Sequence, residues 1–181
     1  MTGTNPYELH LDRNAANHVP LTPLSMIKRA AHVFPDRTSV VHGARRFTWK
    51  ETYARSRQLA SVLERLGVQT GDTVSILAHN TPEMYEAHFG VPMCGGVLNA
   101  INTRLDADNI AFILDHGECK ILIADREFGE LVTHILGKVA YKPKVFFIDD
   151  PECDNPGPAI GEKDYEALIA DGDPDYAWKM P

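Results

Sequence analysis

Short apolar runs alternate along this chain with longer segments whose apolar residues recur at helical spacing. Thr73–Leu77 is uncharged and has the length of a strand that is buried on both faces of a sheet. Residues 119–124 and Lys144–Ile148 are predicted as two more strands. Because strands separated by helices form right-handed βαβ crossovers, the sequence predicts an α/β fold with a mostly parallel sheet and flanking helices.

Capping residues mark where the helices begin. Thr48 is followed three residues later by Glu51, the spacing of a capping box, and Gly67 ends the predicted helix. Thr81 precedes a proline at the first helical position, Pro82, so another helix is predicted to begin there. Four further helices are predicted over residues 24–33, 106–116, 127–137 and 163–170.

Turn-forming residues separate the remaining segments. Residues 38–42 and 45–48 are predicted to form a β-hairpin about a turn at Gly43. Residues 149–161 are rich in Asp, Pro and Gly, and residues 171–181 show no periodicity. This end of the chain is typical of a connection between two folded parts.

The charge of the chain argues against two kinds of partner. The net charge is -7 and the isoelectric point is near 5.6. Nucleic acid and anionic membranes both require a basic face on the protein. The densest basic spots, residues 45–46 and 55–57, hold only two arginines each. We therefore expect neither nucleic acid nor a membrane as a partner.

The polar N-terminal residues and the cysteines predict a cytoplasmic protein. The first twenty residues contain no apolar segment of signal-peptide length. Cys94, Cys119 and Cys153 are odd in number and widely spaced, which is more typical of reduced thiols than of a disulfide framework or a zinc site.

Several short motifs follow one another in a distinctive order between residues 20 and 150. They lie at residues 35–41, 47–51, 66–68, 71–72, 80–83 and 99–105. In this order and spacing they resemble the N-terminal region of the AMP-forming acyl-CoA synthetases, a group of acyl-adenylate-forming enzymes. The run Val-Leu-Asn-Ala-Ile-Asn-Thr-Arg-Leu at 97–105 is most similar to the short- and medium-chain branch, which includes ligases for 3-methylmercaptopropionate.

The resemblance implies a two-step reaction of the whole enzyme. A carboxylic acid attacks the α-phosphate of Mg²⁺-bound ATP to give an acyl-adenylate and pyrophosphate, and the thiol of CoA then displaces AMP. The family grips the phosphates with a Ser/Thr/Gly-rich loop ending in Pro-Lys-Gly and also uses a Tyr-Gly-x-Thr-Glu segment, a ribose-binding Asp and a Lys on a mobile domain. None of these four occurs in the 181 residues.

The resemblance thus implies an N-terminal portion of a ligase, inactive by itself. It divides the chain into an extension (1–23), an α/β subdomain (24–150) and a segment leading toward a nucleotide-binding part (151–181). We expect no catalytic, cofactor-binding or metal-binding residues here, no tightly bound ATP, Mg²⁺ or CoA, and a homodimer, as is common in the family. Two alternatives stay open: a stand-alone binding or regulatory module derived from such a lobe, and an unrelated doubly wound nucleotide-binding domain.

Other polar residues have structural interpretations. Residues 157–164 are a poor phosphate loop, because Glu162 precedes Lys163 and Asp164 replaces the expected Ser or Thr, so a surface turn is predicted. His88, on the same helix face as Tyr85, is predicted to occupy a core or boundary position. Asn80 is predicted to begin a helix, and Asn99 and Asn102 are predicted to be loop formers. Solvated turn positions are predicted for Asp149, Asp150, Asp171 and Asp173, while His79 and His116 show no metal-ligand spacing.

Overall fold

A four-stranded parallel sheet and a separate two-stranded hairpin organise the structure, a computed structural model that describes residues 10, 12–14, 16–178 and 180. The predicted N-terminal extension, residues 1–23, lies partly outside the described residues. The strands are β1 (Thr38–His42), β2 (Arg45–Thr48), β3 (Thr73–Leu77), β4 (Val97–Ala100), β5 (Ile121–Asp125) and β6 (Lys144–Ile148).

Within the described residues, six α-helices connect and cover these strands. They are α1 (Pro23–Val33), α2 (Trp49–Arg65), α3 (Pro82–Met93), α4 (Ala107–His116), α5 (Gly129–Lys138) and α6 (Tyr165–Ala170). In the described residues no helix is long and apolar enough to cross a membrane.

The sheet is doubly wound, which confirms the predicted α/β class. Its strand order is β4-β3-β5-β6, with every neighbouring pair parallel. Ile121 and Ile123 of β5 belong to the core that α2, α3 and α6 cover, whereas Leu122 and Ala124 belong to the core under α4 and α5. Both faces are buried because the strands carry apolar residues at successive positions rather than at alternate ones.

The two clearest helix starts are as predicted. Thr48 Oγ1 accepts a hydrogen bond from the amide of Glu51 at 3.2 Å, and the Glu51 carboxylate accepts one from the Thr48 amide at 2.7 Å. Thr81 Oγ1 accepts from the amide of Met84 at 3.3 Å. These side chains satisfy amides that the first turn of a helix leaves without a partner.

Some element boundaries differ from the sequence predictions. The β4 strand was not predicted, because Gly95 and Gly96 directly before it favour a turn; it forms by pairing its backbone with β3. The helix predicted over residues 127–137 is divided into a 3₁₀ turn, Arg126–Phe128, and α5. Asp125 caps the 3₁₀ turn by accepting from the Glu127 amide.

The end of the chain packs on the rest of the molecule. Tyr165 of α6 is 1% exposed and belongs to the core of the α2 face. Farther on, Trp178 Nε1 donates to the Tyr53 hydroxyl at 2.8 Å, and Arg57 pairs with Asp175 at 3.2 Å. The segment predicted from its composition to be a connection is therefore held against α2 over residues 165–178 by apolar burial and polar contacts.

Candidate functional site

The strand order places the candidate site between β3 and β5. In the sheet, β3 has β4 on one side and β5 on the other. The connection from β3 to β4 and the connection from β4 to β5 therefore run in opposite directions across the sheet. The helices α3 and α4 consequently cover opposite faces, and we call the region outside the carboxyl ends of β3 and β5 the crevice. Open α/β sheets bind ligands at such a switch in strand order.

His79 and Glu127 face each other across this crevice. His79 lies two residues after β3 and Glu127 two residues after β5, and their nearest side-chain nitrogen and oxygen are 3.2 Å apart. The imidazole also packs on the ring of Phe128, with 5.1 Å between centroids. Both side chains of the pair are about half exposed, so the pair is accessible to a ligand.

Asp125 forms the floor of the crevice. It is 2% exposed, and burial raises the pKa of its carboxyl group, with the charges of Asp150 and Glu127 adding to the rise and His79 opposing it. Its Oδ1 atom accepts from the Glu127 amide at 3.0 Å. This contact fixes the backbone turn that presents Glu127 to His79.

At one end of the site, the hairpin contacts an acidic residue that follows β6. His42 Nε2 lies 2.8 Å and 2.9 Å from the two carboxylate oxygens of Asp150, whose side chain is 10% exposed. Arg126 pairs with Asp149 at 2.7 Å. The prediction of a solvated turn residue is wrong for Asp150, which is largely buried against His42, whereas Asp149 is exposed as predicted.

A cleft of about 450 Å³ lies between the hairpin and the start of α3. Its walls include His42 and Asn80, while Tyr85 and His88 contribute from α3. His88 is exposed, not a core residue, and its Nδ1 atom lies 2.8 Å from the carbonyl oxygen of Met84 in the preceding turn.

The remaining candidates from the sequence lie away from the crevice. Asn102 accepts from the Arg104 amide at 3.0 Å, as predicted for a loop former. The same prediction is wrong for Asn99, which lies in β4 and donates from Nδ2 to Ser75 Oγ at 3.1 Å. His116 is exposed and stacks on Phe112.

Residues 157–164 pack closely against β6 and do not form a phosphate-binding loop. Gly161 has a φ angle of +101°, and a Cβ atom there would lie 2.1 Å from the carbonyl oxygen of Val145. The amide of Glu162 donates to that same carbonyl at 2.8 Å. Lys163 pairs with Asp171 at 2.6 Å. The segment lies along β6, and its lysine has a carboxylate partner.

The donors in the crevice do not fit Mg²⁺. Across the described residues, no three His, Cys, Asp or Glu side chains come together in a way that could hold a metal ion. His79 supplies an imidazole, whereas Mg²⁺ prefers an octahedron of oxygens, and Asp150 already contacts His42. These residues can position a polar group at the crevice, but they do not supply a metal-assisted phosphoryl transfer.

A second cluster of charges lies beside the hairpin and is partly buried. Arg55 of α2 contacts Glu86 of α3 at 2.5 Å and Glu166 of α6 at 2.7 Å. Tyr165 donates to Glu86 at 2.9 Å. Burial raises the pKa of Glu86 to about 7, and the contacts with Arg55 and Tyr165 oppose that rise. Sequence reasoning missed this cluster because its members are separated by 31 to 111 positions in the chain.

The cluster extends to the hairpin through a second arginine. Arg45 of β2 contacts Glu83 of α3 at 2.8 Å and Glu166 at 3.2 Å. Both guanidinium groups also pack on the aromatic ring of Phe47, since the Cζ atoms of Arg45 and Arg55 each lie about 5 Å from the ring centroid. The two arginines that looked like basic spots in the sequence are thus neutralised inside the fold.

The fold has close counterparts among solved ligases. The anthranilate CoA ligase AuaEII in complex with anthranoyl-AMP matches with a TM-score of 0.78 and 22% identity, over 86% of this chain and 29% of that one. The N-terminal domain of FACL13 from Mycobacterium tuberculosis matches with a TM-score of 0.72 and 22% identity, over 87% and 37%. The structure therefore has the fold of the N-terminal domain of acyl-adenylate-forming ligases.

The sequence family agrees with the fold. The profile of the AMP-binding enzymes matches residues 27–175, so the chain belongs to that family. The acetate/butyrate–CoA ligase AAE7 of Arabidopsis thaliana, named as peroxisomal, is 44% identical over 94% of this chain and 32% of its own length. The butyrate–CoA ligase AAE11 of the same plant is 48% identical over 88% and 28%. The chain spans about a third of the length of these relatives.

Proposed function

We propose that the chain serves as the N-terminal part of an ATP-dependent, AMP-forming acyl-CoA ligase that activates a short- or medium-chain carboxylic acid. The whole enzyme would form the acyl-adenylate and transfer the acyl group to CoA. The observation that carries the proposal is identity of 44% and 48% to two CoA ligases across about nine-tenths of the chain. The names of these relatives specify acetate and butyrate, which supports a small aliphatic acid; 3-methylmercaptopropionate is one candidate of that size.

Within this proposal the chain is a scaffold and not the catalytic centre. Its crevice between β3 and β5 does not fit Mg²⁺, and residues 157–164, which superficially resemble a phosphate loop, pack against β6. ATP, Mg²⁺ and CoA would be held by parts of the enzyme that residues 151–181 lead toward. The 181-residue chain alone is proposed to form no acyl-adenylate.

A chimeric enzyme tests both statements. The matching third of the acetate/butyrate–CoA ligase AAE7 is replaced by this chain, and AMP formation is measured with acetate, butyrate, hexanoate and 3-methylmercaptopropionate. We expect acid-dependent AMP from the chimera and none from the 181 residues alone. AAE7 cut and rejoined at the same point is the control.

Each outcome separates the alternatives. A folded chimera without activity, beside an active control, would contradict the ligase role and favour a stand-alone binding module. Acid-dependent pyrophosphate release by the isolated chain would contradict the scaffold role. Tight ATP binding by the isolated chain would favour the unrelated nucleotide-binding domain.

We further propose a cytoplasmic homodimer as the setting of this enzyme. All three cysteines are free in the structure, which agrees with a reducing compartment. The peroxisomal location in the names of some relatives belongs to those proteins. Fluorescence microscopy with a tag at either end, together with light scattering of the purified protein, would decide location and assembly.

A further inference from the structure

A concave basic surface lies on the side of the molecule formed by α1, α2 and the end of the chain. It is a cleft of about 570 Å³, within the size range of small-molecule sites. Lys28 and His32 line it from α1, while Lys50 and Arg57 line it from α2. Ala31 and Ala54 also line it, and their small side chains leave the space between the two helices open.

The charge of this cleft is opposite to that of the chain. Three permanent cations, Lys28, Lys50 and Arg57, face a single carboxylate, Asp175, in a protein whose net charge is -7. The Asp175 side chain is 86% exposed and pairs with Arg57 at 3.2 Å. Within the described part of the chain, neither Lys28 nor Lys50 has a carboxylate at ion-pair distance. Clefts lined by one sign of charge concentrate the field and attract ions of the other sign.

Arg57 is held in place for binding at the cleft wall. Its guanidinium lies 4.5 Å from the centroid of the Tyr53 ring, and its Nε atom is buried without a hydrogen-bond partner among the described residues. The burial of Nε and the stacking on Tyr53 hold the guanidinium group in one orientation, and its terminal nitrogens are the donors that a phosphate oxygen in the cleft can reach. Trp178, which donates to the Tyr53 hydroxyl, lies under Lys28 with 5.9 Å between Nζ and the ring centroid.

We propose that this cleft binds a small phosphate-bearing anion with at least two negative charges. The fixed positive charges of Lys28, Lys50 and Arg57 match a phosphate or diphosphate group, and Arg57 offers the planar donors that suit phosphate oxygens. The cleft lies on α1 and α2, whereas the crevice beside His79 lies at the carboxyl ends of the strands. The cleft is therefore separate from that crevice.

Nuclear magnetic resonance of the 181-residue protein tests this proposal, with inorganic pyrophosphate as the probe in low salt and EDTA. The indole N–H signal of Trp178 reports on the cleft, because this side chain lies under Lys28 and donates to Tyr53, and both of these residues line it. We expect a saturable shift of the Trp178 signal with a dissociation constant below about 1 mM. Parallel titrations with inorganic phosphate and AMP distinguish the free anion from a nucleotide.

Two charge variants make the test specific. The pair Lys28→Gln and Lys50→Gln should weaken binding about tenfold, while Lys142→Gln with Lys144→Gln, which removes the same charge outside the cleft, should change it less than about twofold. No saturable shift up to about 10 mM, or equal weakening by both pairs, would overturn the proposal.

A third variant guards against loss of folding. Lys50 is exposed in the first turn of α2, where the helix dipole favours a negative side chain, so Lys50→Glu should fold at least as well as the parent. It should weaken pyrophosphate binding more than Lys50→Gln does. Unchanged affinity in this folded variant would refute the assignment.

Discussion

At the scale of single residues, Glu86 shows how burial and hydrogen bonding compete. Its side chain is 1% exposed, and burial favours the neutral acid. Three donor groups point at its oxygens, Nε and Nη2 of Arg55 and the hydroxyl of Tyr165, and these favour the carboxylate. The resulting pKa of about 7 places the titration of this group at neutral pH.

We predict that the titration of Glu86 makes the protein less stable as the pH rises. The pKa of Glu86 is higher in the folded protein than its ordinary value of 4.5, so the folded state binds the proton more tightly. The stabilisation by that proton is complete at low pH and is lost as the pH rises through about 7. The free energy of unfolding, relative to Glu86→Gln, should fall by about 3 kcal/mol between pH 4 and pH 8.

Urea unfolding of both proteins across this pH range measures the difference. Tyr165→Phe is the matching test of the hydrogen bond, because removing a donor to the carboxylate should raise the pKa of Glu86 further. A difference between parent and Glu86→Gln that does not vary with pH would mean that the pKa of Glu86 is the same in the folded and the unfolded protein, which would contradict the prediction.

At the scale of elements, the contact between α2 and α3 depends on a glycine. A Cβ atom at Gly90 would lie 2.7 Å from Leu59 Cδ2 and 2.8 Å from the carbonyl oxygen of Ser56. The backbone carbonyl cannot move without disturbing α2. The two helices can therefore approach each other at this point only because position 90 has no side chain.

Gly90→Ala is predicted to lower the free energy of unfolding by about 1–3 kcal/mol, because the added methyl group overpacks the α2–α3 contact. Gly137→Ala in α5 is the matched control, since nothing lies within 4 Å of a Cβ atom there. Alanine should stabilise that helix by about 0.5 kcal/mol. Thermal unfolding of the two variants gives the comparison, and equal effects at both positions would contradict the packing argument.

At the scale of the whole molecule, one charge cluster joins elements from both ends of the chain. Arg55 of α2 contacts acids on α3 and α6 and packs on Phe47 of the hairpin. Glu166 is reached by Arg55 and also by Arg45 of β2. The hairpin, two core helices and the C-terminal helix are thus held by the same few side chains.

Arg55→Met should destabilise the protein by about 3 kcal/mol, because it leaves the buried carboxylate of Glu86 without its cation. The double variant Arg55→Met and Glu86→Met should regain most of that loss, since an apolar pair can replace a buried ion pair. Arg46→Met, at an exposed arginine of the hairpin, is the control and should change stability by less than about 0.5 kcal/mol. Chemical unfolding measures all three, and a double variant no more stable than Arg55→Met would contradict this account.

Much of the fold could be predicted because its signals are local. The hairpin, the capping box at Thr48, the proline start of α3 and the apolar strands β3 and β6 all follow from neighbouring residues. The family resemblance also follows from short ordered motifs, and the comparisons confirm it. The β4 strand escaped prediction because only pairing with β3 makes its backbone extended.

The sequence by itself determined the α/β class, the starts of α2 and α3 and the family, because caps, turns and apolar periodicity act over a few residues. Only the tertiary structure decided which charges meet. His42 reaches Asp150 over 108 positions, and Arg55 reaches Glu166 over 111. The basic cleft likewise appears only when two helices lie side by side, with Lys28 contributed by α1 and Lys50 and Arg57 by α2. Long-range packing sets these contacts, and no local pattern in the chain encodes them.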